Sequence, residues 1–128
     1  MSSASAARLI ICEPTPCWAV LMRRFAAELR VSEARSLALA DDMLRESPGN
    51  VIAVAVTNAN AADALLKLSS WQNDYPACIT AALLDNPDSE LELGLREAGA
   101  QLVVFSLFEL PLLARLVTRQ QKHGSPTR

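Results

Sequence analysis

The chain has few residues of two types on which common active sites depend, since it contains only 4 glycines and 1 histidine among 128 residues. A dinucleotide site or a P-loop requires a glycine-rich turn that lets the backbone approach phosphate. The first turn after an apolar run instead reads Glu13-Pro14-Thr15-Pro16, and no glycine opens a predicted helix. The histidine, His123, lies near the end of the chain, so a Ser-His-Asp triad is excluded as well.

Cysteine is also scarce, with Cys12, Cys17 and Cys78 as the three residues of this type. An odd number, two of them inside apolar runs, is a poor disulfide framework and predicts a reducing, cytoplasmic compartment. We expect Cys12 and Cys78 to pack as small apolar side chains. Cys17 falls in the first turn of a predicted helix, where the helix dipole lowers the pKa of a thiol. The spacing does not fit a zinc site, and we predict neither a metal nor a cofactor.

Long apolar runs and a strong charge of one sign are both missing. No segment approaches ~18 apolar residues, and the first residues lack the basic and apolar regions of a signal peptide, so we expect no membrane contact. A formal net charge of −2 argues against a nucleic-acid binder driven by net charge. The length suits one domain, which we place at residues 8–121, between a disordered segment at 1–7 and a polar tail at 122–128.

Short apolar runs alternate with longer segments of helical period along the chain. Predicted strands fall at residues 8–12, 31–35, 51–57, 77–84 and 101–105, and a predicted helix follows each of them. Strands joined by helices must be parallel, and right-handed crossovers place helices on both faces of the sheet. The pattern therefore predicts the α/β class, as a doubly wound (βα)5 three-layer sandwich around a parallel five-stranded sheet.

Capping residues and prolines predict where the helices begin and end. A cap followed by proline at the first helical position occurs at Thr15-Pro16 and again at Asn86-Pro87. Asn60 is the predicted cap of the third helix, and Gly99 is the predicted residue after the fourth. The apolar face of the first helix is expected to run from Trp18 to Leu29, and the last helix from about residue 110 to 121.

The segment from Ala98 to Phe108, Ala-Gly-Ala-Gln-Leu-Val-Val-Phe-Ser-Leu-Phe, resembles the receiver domain of bacterial response regulators. Receivers show Ala-Gly-Ala before strand five and then an apolar strand that ends in Lys-Pro-Phe. Here Phe108 is kept, Ser106 stands in place of the lysine and Leu107 in place of the proline. The resemblance extends over about residues 8–121 and implies the strand order 2-1-3-4-5.

The resemblance also implies where a phosphorylation site would lie. Receivers bind Mg²⁺ with two acids after strand one and with the aspartate after strand three that accepts the phosphoryl group, while a Thr or Ser and a lysine hold its oxygens. The corresponding positions in this chain are Glu13, Pro14, Thr57, Asn58, Leu84 and Ser106. No acid occurs between Asn50 and Ala62, so the resemblance is to a degenerate receiver with no catalytic residue.

The predicted fourth and fifth helices carry apolar residues outside their inner stripes and charges of opposite sign. The face formed by these helices is the usual dimer surface of receivers. The candidate interface residues are Glu92, Leu93, Leu112, Arg115, Leu116 and Arg119. Two readings stay open for the leucines, since they either broaden the core contact or form a homodimer interface.

Three functions are compatible with these observations. The first is a phosphorylation-independent signalling or regulatory module, not an enzyme, that binds protein partners and forms a homodimer. The alternative is a flavodoxin-like small-ligand binder or enzyme that uses Glu13, Cys17, Thr57, Asn58 and Ser106 in the crevice at the carboxyl ends of the strands, with Glu13 and Asp85 as a weaker carboxylate pair. A third is a piece of a longer regulator, against which Met1 and the polar ends argue mildly.

Overall fold

The computed structural model describes residues 8–124, and the side chains of residues 8–120. Within that range, five strands alternate with five α-helices, and a short 3-10 turn (Leu107–Glu109) precedes the last helix. The strands are β1 (Arg8–Cys12), β2 (Arg30–Ala34), β3 (Val51–Val56), β4 (Ile79–Leu84) and β5 (Leu102–Val104). The helices are α1 (Trp18–Phe25), α2 (Leu37–Glu46), α3 (Ala61–Asp74), α4 (Ser89–Glu97) and α5 (Leu110–Gly124).

The strands form one parallel sheet in the order β2-β1-β3-β4-β5, which confirms the predicted class and topology. The central strands are apolar on both sides, and Leu9, Ile10 and Ile11 are completely buried. Such continuous apolar runs are typical of parallel strands that helices cover on both faces.

Two cores lie on opposite faces of the sheet. Helices α2, α3 and α4 cover one face, where Leu44, Leu68 and Trp71 are fully buried. Helices α1 and α5 cover the other, with Met22 and Leu113 at its centre. Between residues 8 and 124, no helix combines the length and apolar character that crossing a bilayer would need.

Several predicted boundaries were wrong. Helix α5 continues to Gly124 instead of ending at residue 121, because the segment before Gly124 contains no helix breaker. Residues 122–124 of the predicted tail are therefore helical, while residues 125–128 and the predicted disordered segment at 1–7 lie outside the described residues. Helix α1 ends at Phe25, whose side chain is 52% exposed, and Leu29 lies in the turn that follows.

The predicted cap of α4 was also misplaced. The helix begins at Ser89, and Asp88 accepts a hydrogen bond from the backbone N–H of Leu91 at 3.0 Å, so Asn86 and Pro87 precede the helix. The predicted end of α4 is confirmed, because Gly99 follows it with a φ of 121°. Residues with a β-carbon rarely adopt such a φ, so the backbone conformation favours glycine there.

Candidate functional site

The carboxyl ends of the five parallel strands meet at one edge of the sheet, and the loops that follow them bring some of the predicted site residues together. Thr57, Asn58 and Leu84 line one open cleft of about 240 Å³ between the β3 and β4 loops. The residues from Asp85 to Asp88 line its opposite side. Glu13, Pro14 and Ser106 are not among the lining residues, so the structure brings together three of the six predicted positions.

Glu13 directly follows β1, and its side chain is turned under the first turn of α1. It is 3% exposed. Its Oε2 accepts hydrogen bonds from the backbone N–H groups of Cys17 and Ala19, and its Oε1 accepts one from Trp18, all at 3.0 Å. Both carboxylate oxygens are therefore occupied at the positive end of the helix.

This arrangement corrects two expectations about the β1–α1 loop. Helix α1 starts at Trp18, so Thr15 and Pro16 lie in the loop and do not begin the helix. Its N-cap position is Cys17, whose side chain makes no capping bond. The sequence pattern did not predict this role of Glu13, because a cap is expected immediately before a helix and Glu13 lies five residues before the first residue of α1.

The loop after β3 is closed by Asn60. The side-chain Oδ1 of Asn60 accepts from the N–H of Thr57 at 2.8 Å, and its Nδ2 donates to the carbonyl of Ala55 at 3.0 Å. Asn60 does occupy the N-cap position of α3, but its side chain bonds backwards, to the loop, and not forwards to the helix. Such a local side-chain turn competes with capping, and it leaves Thr57 and Asn58 exposed at the cleft.

The remaining predicted positions differ sharply in exposure. Leu84 ends β4 and is only 2% exposed, because it packs in the core. Ser106 is partly exposed and precedes the 3-10 turn. In that turn, Oε1 of Glu109 accepts from the N–H of Phe105 at 2.6 Å. Phe108 is 93% exposed, a feature that the matching of Phe108 to the receiver pattern did not predict.

Burial sets the chemistry of two of the cysteines. Burial, with a smaller contribution from the negative charge of Glu13, raises the pKa of Cys12 to about 11. Burial raises the pKa of Cys78 to about 12. Both thiols are free and buried, which confirms their prediction as packed side chains, and Cys17 is free and exposed.

Carboxylates near the cleft do not converge. Asp85 lines the cleft, whereas Glu13 does not, so the structure does not bring these two acids together in the cleft. Asp88 uses Oδ1 to cap α4. Among the described residues, no group of three or more His, Cys, Asp or Glu side chains is placed to hold a metal ion.

The candidate interface residues lie on the α4 and α5 side of the molecule. Leu93 is 59% exposed and Leu112 is 43% exposed. Leu116 is partly buried against the core of the α1 and α5 face, so it serves packing in the monomer. A shallow groove of about 210 Å³ between β5 and α5 is lined by Gln101, Leu102, Leu112, Arg115, Leu116 and Arg119. Glu92 bonds to Arg96 of its own helix.

The order of elements and the sheet topology are those of the CheY-like receiver fold of response regulators, which solved structures of such proteins share. No family model matches the sequence, and no curated protein is significantly similar to it. Solved structures do match. The chain is similar to a response regulator from Thermotoga maritima, with a TM-score of 0.79 and 17% identity over 91% of this chain and 98% of that one.

Two further solved structures also match the chain. A CheY-like protein, tadZ, from Pseudomonas aeruginosa matches with a TM-score of 0.74 and 18% identity over 89% of this chain and 98% of that one. An atypical orphan response regulator matches with a TM-score of 0.72 and 16% identity, over 90% and 95% of the two chains. At such identities the similarity establishes the fold, and function has to be argued from the residues of this chain.

Proposed function

We propose that this chain is a receiver-like regulatory module, not an enzyme, that works by binding protein partners and is not itself phosphorylated. The observation that carries the proposal is the state of Glu13. The one acid at the position of the receiver's acidic pair is buried and bonds to three backbone N–H groups of α1. It is therefore engaged in holding the helix and is not available to a cation in the cleft.

The residues after β3 support the same conclusion. Thr57 and Asn58 are exposed at the cleft where a receiver has its phosphate-accepting aspartate, and a hydroxyl or an amide cannot form an aspartyl phosphate. The carboxylates that line the cleft, Asp85 and Asp88, both belong to the β4–α4 loop, and Asp88 uses Oδ1 to cap α4. A hard cation such as Mg²⁺ needs one or two carboxylates in good geometry together with the substrate phosphate.

Positions that would hold phosphate oxygens are altered as well. Leu84 is buried and has no polar group, and Ser106 carries no positive charge. A phosphoryl group at this edge would lack the charge-assisted contacts that convert phosphorylation into a change of surface. The similar atypical orphan regulator, described as having a phosphorylation-independent regulatory mechanism, supports this interpretation by analogy.

Incubation with a small phosphodonor tests the proposal. The protein is treated with acetyl phosphate and Mg²⁺, and its intact mass is compared with that of an active receiver domain treated in parallel. We expect the active receiver to gain a phosphoryl group and this protein to keep its mass. A stoichiometric, base-labile adduct on this protein would refute the proposal.

The alternative of a small-ligand binder receives less support. The cleft beside Thr57 and Asn58 holds about 240 Å³ and is open, whereas ligand sites are enclosed clefts of roughly 300–1,000 Å³. Cys17 and Glu13, which were candidates for that function, do not line the cleft. These observations favour an interaction module over a crevice enzyme.

We further propose that the partner surface on α4 and α5 forms a homodimer. Leu93 is exposed on the acidic helix α4, and the groove beside Leu112 is rimmed by Arg115 and Arg119. A two-fold dimer would use each such contact twice. Because Glu92 already bonds to Arg96, rim charges would add only ~0.2–1 kcal/mol each, and the apolar contacts would supply most of the affinity.

Sedimentation of charged variants tests the dimer. We expect the parent to be dimeric at ~10–100 µM, the weaker range of specific association, and Leu93→Glu to be a folded monomer. Leu66→Glu is the matched control, because Leu66 is 72% exposed on α3, outside this surface. A parent that stays monomeric at ~1 mM would leave this face to other proteins.

A further inference from the structure

The loop between β5 and α5 is closed by an acid of its own. Glu109 bonds through Oε1 to the N–H of Phe105 at 2.6 Å, and its own N–H donates to the carbonyl of Ser106 at 3.0 Å. These two bonds join both ends of a five-residue segment. The segment carries Leu107, which is 50% exposed, and Phe108, which is 93% exposed.

This closure is part of a wider pattern at the carboxyl edge. Each of the five loops there contains a side chain that accepts a hydrogen bond from a backbone N–H a few residues away, either across the loop or in the first turn of the helix that follows. The side chains are Glu13, Ser36, Asn60, Asp88 and Glu109. Glu109 differs from the other four because the loop it closes carries the most exposed aromatic side chain among the described residues.

We propose that Glu109 is a built-in latch that holds the β5–α5 loop in one conformation, in which Leu107 and Phe108 are exposed to solvent. The latch rests on the proposed function and deepens it by naming the residue that fixes the surface in the absence of phosphate. The carboxylate of Glu109 would thus stabilise the loop conformation without any bound phosphate.

The physical basis is the strength of a hydrogen bond to a charged acceptor. A carboxylate that accepts from a backbone N–H makes a shorter and stronger bond than a neutral pair does. Ordering an apolar tip before binding also reduces the entropy that a partner would otherwise have to overcome. An exposed phenylalanine held rigidly is therefore a better binding anchor than one on a mobile loop.

Amide hydrogen exchange of Phe105, followed by NMR on the intact protein, tests the latch. In Glu109→Ala we expect that amide to exchange about tenfold faster or more, the ratio that corresponds to losing a hydrogen bond to a charged group. We also expect microsecond-to-millisecond exchange at residues 105–110 in Glu109→Ala and none there in the parent. Glu109→Gln keeps an acceptor oxygen and should lie between the two.

Two controls make the result decisive. Glu97→Ala removes a charge from an exposed residue of α4 and should leave the exchange of Phe105 unchanged. Unchanged Phe105 exchange in Glu109→Ala, or loop motion already present in the parent, would overturn the latch. The phosphodonor experiment is separate, since an adduct would refute the proposed function while Phe105 exchange would still decide the latch.

Discussion

The two edges of the sheet are held by different kinds of contact. At the carboxyl edge, side chains bond to backbone groups close by in sequence, from three residues away for Asp88 to six for Glu13. Each of these side-chain bonds thus stays within one loop and the helix that follows it. A change in one loop leaves the closures of the others in place.

At the amino edge, the bonded groups come from distant parts of the chain. The side-chain Nε2 of Gln120 donates to the carbonyls of Gly49 and Ala77, 71 and 43 residues away, at 2.9 Å each. The hydroxyl of Thr80 donates to the carbonyl of Gly99 at 2.9 Å. These bonds join α5, β4 and the turns before β3 and β4.

The difference separates the proposed functional site from the contacts that hold the fold together. Long-range bonds couple elements, so their loss is felt by the whole domain, whereas a local closure can be replaced loop by loop. Site residues at the carboxyl edge can therefore change while the architecture survives. A receiver fold with Thr57, Asn58 and Ser106 at that edge fits this division of labour.

Replacement of Glu13 is expected to have the largest effect on stability of the changes considered, although its hydrogen bonds are local, because they are also buried. Glu13→Ala removes the acceptor for three N–H groups, two of them in buried positions. Unpaired buried donors cost about 1–3 kcal/mol each, so we expect the free energy of unfolding to fall by about 3 kcal/mol in urea titrations.

The conservative variant separates bonding from charge. Glu13→Gln keeps one acceptor oxygen at the start of α1 and should restore about half of the loss. A fall of less than ~1 kcal/mol in Glu13→Ala would mean that water replaces the carboxylate. It would contradict the expectation that the Glu13 bonds stabilise the protein more than the other bonds at this edge.

A second pair of variants compares the two edges at the same expected loss in the free energy of unfolding. Asp88→Ala removes a helix cap at the carboxyl edge, and Gln120→Ala removes two neutral bonds at the amino edge. We expect each to cost about 1 kcal/mol. Hydrogen exchange should differ, with faster exchange confined to the first turn of α4 in Asp88→Ala but spread over α5, β3 and β4 in Gln120→Ala.

Equal and local footprints for the two variants would contradict the distinction between the edges. The measurement is made by NMR under conditions in which both variants remain folded, so that regional and global opening can be told apart.

The sequence was sufficient to predict the strands of the sheet but not the geometry of the loops and caps at its edges. Strand β3 follows from an uninterrupted apolar run, and only a fully buried parallel strand accommodates one. The cap of α1 could not be found in the same way, because Glu13 reaches it across a loop whose path depends on tertiary structure. The exposure of Phe108 is likewise set by the 3-10 turn and not by local apolar pattern.

The length of α5 shows the same limit. A polar end predicts fraying after residue 121, whereas the helix continues to Gly124 because no helix breaker precedes that residue. The bonds from Gln120 to two turns that are far away in sequence are a separate feature of this helix that the sequence pattern does not predict. Contacts of this kind are invisible to periodicity. By contrast, Gly99 was predictable, since its role depends on its own backbone conformation after a helix end.

The smallest effect is expected for the pH dependence of the free energy of unfolding, to which one buried thiol at each edge contributes. Cys12 ends β1 at the carboxyl edge, and Cys78 precedes β4 at the amino edge, with pKa values raised from 9.0 to about 11 and about 12. A raised pKa means that the folded state retains a proton that the unfolded state loses. The contribution of each buried thiol to the free energy of unfolding is therefore fully present below pH ~8, and it is lost as pH rises toward the folded pKa.

At pH ~9, where half of the unfolded thiols are ionised, we expect each buried thiol to lower the free energy of unfolding by about 0.4 kcal/mol relative to pH ~7. In Cys78→Ala the free energy of unfolding should decline less steeply between pH ~8 and ~10. Cys12→Ala should reduce the decline to a similar extent below pH ~10, since both folded pKa values lie above that range. Cys17→Ala is the matched control, because that side chain is exposed in the folded protein. A decline that is identical in all three variants would show that the two buried thiols ionise as readily in the folded state as in the unfolded state.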